Sequence, residues 1–168
     1  MKESWLHFIW LRKLFSPHDL KSTKNLNLEI VRTGIANLQA GPDFTDCTIK
    51  INGVVLFGNV EIHIQTQDWY AHKHQNDPVY NTVVLHVVYE SSHKEVICEN
   101  GQILPELELK PYLLFPLESI RYHELKSLSI PCSPFMTLLK NELKRKILLS
   151  YFDDSLEAKL SKIQNMLS

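Results

Sequence analysis

The chain has 168 residues, 44 % of them apolar, which is enough to bury one sizeable core and leaves no compositional case for disorder. A formal net charge of -1 offers no bulk attraction to nucleic acid, so binding of that kind would need a local basic patch or metal ions. Cys47, Cys98 and Cys132 are odd in number and widely spaced, with no CxxC pair, which argues against a disulfide framework and against a cysteine zinc site.

The opening stretch, MKESWLHFIWLRKLF, is apolar but interrupted by Glu3, His7, Arg12 and Lys13. It is too short and too charged for a membrane span and no small-residue cleavage site follows, so a cytoplasmic protein without a membrane anchor is expected. Within it, Trp5, Phe8, Ile9 and Phe15 recur at helical spacing, predicting a helix over 4–15 that ends at the SPHD turn. Residues 26–35 alternate through Leu26, Leu28 and Ile30 as a strand with Glu29 on its other face. DFTDCTIKI and VVLFGNVEIHI flank Asn52-Gly53, a strong hairpin signal.

QTQDWYAHKHQNDPVYN reads as a short helix and a loop, and TVVLHVVYE as a central strand covered on both faces. KEVIC at 94–98 forms a further strand turned at Asn100-Gly101, while Pro105 and Pro111 make QILPELEL an edge strand or an extended loop. From residue 112 the pattern is helical. A last helix carries Leu156, Leu160, Ile163 and Leu167 as an apolar stripe that folds back, forms an interface or marks the start of a missing region. The resulting expectation is an α/β (α+β) fold with a mixed sheet built around the hairpin over 1–130, and a helical tail over 131–168.

Strand periodicity puts Asn59, Glu61 and His63 on one face, and the hairpin returns them toward Asp43. Two adjacent carboxylates repel unless a proton or cation lies between them, which points to Mg2+ or Mn2+ on Asp43 and Glu61, with His63 as ligand, base or phosphate-facing donor. A solvated sheet face with Asp43 at a turn explains the same residues.

DWYAHKHQNDPVYN adds Asp68, His72, His74, Asp77 and Tyr80. If 67–74 is helical, Asp68 and His72 share a face and His74 points elsewhere. Zinc is the less favoured metal here, and Asp68 as a helix cap is the plainer reading. His86 is either a satisfied interior histidine or one facing His63. His7, His18, His93 and His123 stand alone. Lys144, Arg145 and Lys146 form a small basic patch that reads as a solvated helix face. Motifs of phosphate-loop, serine-hydrolase and EF-hand type are absent from the sequence.

Taken together, GPDF, GNVEIH, DWYAHKH and LHVVYE resemble the N-terminal part of a bacterial family, the domain of unknown function 2851 family, common among the Bacteroidetes. Its members are typically longer, implying that a C-terminal half is lacking here. The family implies no particular activity. The order strand, GPD, strand, turn, strand with VEIH also resembles, more distantly, the core of the PD-(D/E)xK nucleases. That resemblance implies a restriction-endonuclease-like fold and Mg2+-dependent cleavage of nucleic acid. Asp43 and Glu61 would be the metal ligands, His63 would stand where the motif has lysine, and Glu29 would match an upstream acid. The leading expectation is therefore a divalent-metal phosphodiesterase. A binding or assembly domain that self-associates, and a zinc hydrolase built from His63, His72, His74 or His86, are the alternatives.

Overall fold

The computed structural model describes residues 2–114; the expected boundary at residue 130, the helical tail, His123, Cys132 and the Lys144–Lys146 patch lie outside the described residues. Helix α1 spans Glu3–Leu11 rather than 4–15 and buries Leu6, Ile9 and Trp10. Lys13 takes a left-handed φ of 49° just beyond it, a conformation that cannot propagate a helix. Trp10 stacks on Phe15 and donates its indole N–H to the Thr33 carbonyl at 2.9 Å, anchoring the helix to the chain beyond the first strand.

Strands β1 (Leu28–Arg32), β2 (Ile35–Ala36), β3 (Phe44–Ile51), β4 (Val54–Gln65), β5 (Val83–Glu90) and β8 (Glu106–Glu108) form one mixed sheet. Its order is β1-β3-β4-β5-β8, with β2 also pairing with β3. Strands β6 (Val96–Ile97) and β7 (Ile103–Leu104) make a separate small hairpin between β5 and β8. The segment after Gly101 thus contributes β7 and, beyond Pro105, the edge strand β8.

The Asn52-Gly53 turn is as the sequence predicts. Both residues have positive φ, 47° and 87°, the backbone of a type I′ turn whose twist matches that of the strands it joins. A bulge between Phe44 and Cys47 shifts the β3–β4 register, and Asp46 absorbs it at φ 56°. Strand β4 changes character along its length. Val54, Val55 and Phe57 are exposed near the turn, whereas Val60, Glu61, Ile62 and His63 are all buried. The polar face of its far half is therefore interior, and the solvated-face reading does not hold for Glu61 and His63.

Strands β4 and β5 run parallel, which demands a crossover rather than a tight turn. Residues 66–82 supply it as helix α2 (Asp68–Ala71) and two 3-10 turns, His74–Asn76 and Pro78–Thr82. Gly58 permits the return. A Cβ there would lie 2.4 Å from Val84 and 2.7 Å from the Thr82 carbonyl, so any side chain would push β4 away from the incoming strand. Trp69, fully buried, pins the crossover over the sheet with Tyr80, Val83, Val96, Cys98 and Leu104, and its indole N–H donates to the Ile97 carbonyl at 3.1 Å. Burying a large apolar side chain is worth roughly 1.5–3 kcal/mol, which makes Trp69 the main anchor of a segment with little regular structure. The parallel registers then align Glu61 with His86 and His86 with Glu106, so three polar residues cross the sheet in one row beneath the crossover. No helix among the described residues is long and apolar enough to cross a membrane.

Candidate metal centre

Strand β4 carries His63 one pleat beyond Glu61, and the crossover brings two further imidazoles onto it. Helix α2 stops at Ala71, and Lys73 adopts a left-handed φ of 63° that reverses the chain before His74. The sequence expectation that His72 and His74 point apart assumed a continuous helix; the reversal returns His74 to the side of His72, with ring centroids 5.4 Å apart. One ligand atom from each of His63, His72 and His74 lies within 4.8 Å of the others.

The separations have the scale of a coordination sphere. His63 Nε2 is 3.1 Å from His72 Nδ1, His74 Nε2 is 3.1 Å from Glu61 Oε1, and His63 Nε2 is 3.6 Å from the same oxygen. Four donors bound at zinc distances in a tetrahedron stand about 3.3 Å apart along each edge. His74 Nε2 is buried and, although it faces Glu61, makes no aligned hydrogen bond; a buried nitrogen in that state is what a ligand position requires. His72 is exposed while His63 and His74 are buried, so the cluster opens to solvent on one side only.

Electrostatics agree with a cation site. Burial, reinforced by the neighbouring imidazoles, lowers His63 to about 2, keeping it neutral and available as a ligand. His74 is also lowered by burial, against the pull of Asp43 and Asp77. Burial and then the charge of Asp43 raise Glu61 to about 9, so its carboxyl holds a proton at neutral pH unless a cation takes its place.

The donor set corrects the expected cofactor. Three imidazoles suit zinc, whereas Mg2+ and Mn2+ favour an all-oxygen shell. Asp43 does approach Glu61, its backbone N–H donating to Glu61 Oε2 at 3.0 Å. Its own Oδ2, however, accepts the Ile62 N–H at 2.9 Å and faces His7 Nε2 at 3.2 Å, so it braces the second acid. The zinc alternative fits the observed cluster better than the Mg2+ or Mn2+ reading.

The other sequence candidates separate cleanly. Glu29 is exposed on β1 and pairs with Lys50 at 3.1 Å, in none of the cluster's contacts. Asp68 accepts the Gln65 N–H at 2.9 Å and Asp77 accepts the Val79 N–H at 3.0 Å, so both shape the crossover. Tyr80 packs its ring against His74, centroids 3.8 Å apart and planes tilted by 31°. His86 faces His63, its Nε2 2.8 Å from His63 Nδ1.

Two neighbours were not singled out from sequence. His7, read as solitary, lies on the inner side of α1, and although burial opposes it, Asp43 and Glu3 raise its pKa. Glu106 stands in a segment that Pro105 and Pro111 mark as an edge strand or extended loop, and it lies 3.0 Å from His86 Nδ1. Alternation of Glu106, Leu107 and Glu108 was the available signal.

These features define a mixed α/β protein with a three-histidine cluster able to hold a metal ion, seated where the crossover covers β4 and β5. The chain belongs to the family described as Protein of unknown function (DUF2851), whose model matches residues 3–168. No curated protein and no solved structure matches it.

Proposed function

We propose that the protein is a zinc-dependent hydrolase. The observation that carries this reading is the convergence of His63, His72 and His74 within 4.8 Å, beside a buried carboxyl group. Zinc held there would lower the pKa of a water it binds to about 7, making hydroxide available at neutral pH. His63 and His74 hold the buried side of the site and His72 the solvent side. Glu61, braced by the Asp43 N–H, is the group near enough to accept the water's proton, and a bound cation would restore its carboxylate form. A hydrolysable ester or phosphoester is the substrate class; the narrower reading, a phosphodiester of nucleic acid, rests on the distant likeness to the PD-(D/E)xK nucleases.

Activated carboxylic esters, bis(4-nitrophenyl) phosphate and a DNA oligonucleotide form a suitable test panel. Metal-stripped protein should be inactive and should regain turnover with one equivalent of zinc. Glu61→Gln should keep its zinc and lose about 100-fold or more in turnover, the scale of a general base. Zinc-loaded protein that turns over none of these substrates would count against the hydrolase, and loss of zinc in Glu61→Gln would make Glu61 a ligand instead of a base.

A further inference from the structure

His86 and Glu106 lie behind the cluster, and neither is within reach of a substrate approaching from the His72 side. His86 is fully buried and Glu106 nearly so. Glu106 Oε2 is 3.0 Å from His86 Nδ1, while its Oε1 accepts hydrogen bonds from Thr66 Oγ1 at 3.1 Å and Ser91 Oγ at 2.5 Å. Those two hydroxyl oxygens already accept the backbone N–H groups of Ser92 and His93, at 3.0 and 2.9 Å, so their protons are free to go to Glu106. A carboxylate can only accept. The proton on His86 is therefore on Nδ1, which leaves Nε2 as an acceptor for His63 Nδ1–H at 2.8 Å.

We infer that His86 and Glu106 are positioning residues that, through this directed chain of hydrogen bonds, hold His63 in its Nδ1–H tautomer and turn its Nε2 lone pair toward the metal position. The inference rests on the zinc reading for its consequence, though not for the tautomer itself. Carboxylate-to-histidine contacts of this kind orient metal ligands and raise their basicity, and losing one typically costs 10–100-fold in metal affinity. Here the carboxylate acts one imidazole further back, with strands β4, β5 and β8 holding Glu61, His86 and Glu106 in register.

Glu106→Gln gives the sharpest variant, because it preserves shape. The position of Oε1 receives two hydroxyl donors and calls for an acceptor, so the amide nitrogen falls opposite His86 Nδ1. That nitrogen donates, reversing the chain and placing the His63 proton on Nε2, where it blocks the ligand position.

The experiment reads the imidazole ring-nitrogen chemical shifts of the metal-free full chain, then measures zinc affinity by competition with a chelator for the natural protein and Glu106→Gln. The expected result is Nδ1–H on both His63 and His86, with zinc bound roughly 10–100-fold more weakly by the variant at unchanged secondary structure. An Nε2–H His63 in the natural protein would overturn the inference, as would equal zinc affinity in a folded variant. Nδ1–H on both residues with no zinc bound by the natural protein would uphold the relay while sinking the zinc hydrolase, so the two failures are distinguishable.

Discussion

Position 63 shows how environment converts an ordinary residue into a ligand. A histidine on an exposed strand would titrate near 6.5; beneath the crossover, burial and the four neighbouring imidazoles of His86, His74, His72 and His7 lower it to about 2. Glu61, two residues earlier, is driven the opposite way, to about 9 against an ordinary 4.5. The two shifts have opposite consequences for stability. Between pH 2 and 6.5 the unfolded chain binds a proton at position 63 that the folded chain refuses, so stability is lost as pH falls below about 6.5. Between pH 4.5 and 9 folded Glu61 keeps a proton that the unfolded chain has released, so its contribution is lost as pH rises through that window. Thermal unfolding of metal-free protein should therefore show a broad maximum between about pH 4.5 and 6.5, where the two pH dependences cancel, declining on both sides. Zinc should remove the alkaline decline, because a cation beside Glu61 favours its ionised form. A midpoint that rises steadily to pH 9 without metal would contradict this account.

At the scale of elements, the crossover carries the greater share of the site. Period-two alternation already put Glu61 and His63 on one face, and the Asn52-Gly53 turn returned them toward Asp43, so that half was legible. His74 was not. A helical projection over 67–74 sends it away, and only the left-handed turn at Lys73 brings it back. Lysine seldom adopts φ near 63°, and the conformation costs an L-residue about 1–2 kcal/mol. Lys73→Gly should keep the cluster and zinc affinity, with unfolding shifted little. Lys73→Val, whose branched side chain resists positive φ, should move His74 and weaken zinc several-fold, measured by the same chelator competition. Equal affinity in both variants would show that the turn does not set the position of His74.

Over the described molecule, local signals were the readable ones: the first helix, the hairpin, the apolar run of β5 and an edge strand after Pro105. What escaped was what depends on long-range pairing. The parallel alignment of β4 with β5 and β5 with β8 creates the Glu61–His86–Glu106 row, and no local pattern announces it because the three residues belong to separate strands. His7 was missed for the same reason, since its partner Asp43 is brought to α1 only by the fold. The preference for Mg2+ or Mn2+ rests on two acids near in sequence pattern, with the imidazoles of His63, His72, His74 and His86 only in the zinc alternative, because their convergence depends on the crossover that the local pattern does not show. The measurement that tests the centre most directly is X-ray absorption at the zinc edge on protein loaded with one equivalent of zinc. The account predicts a first shell dominated by imidazole nitrogens at about 2.0–2.1 Å, losing one of them in His74→Ala. A shell of oxygen donors alone, or one unchanged in that variant, would contradict it.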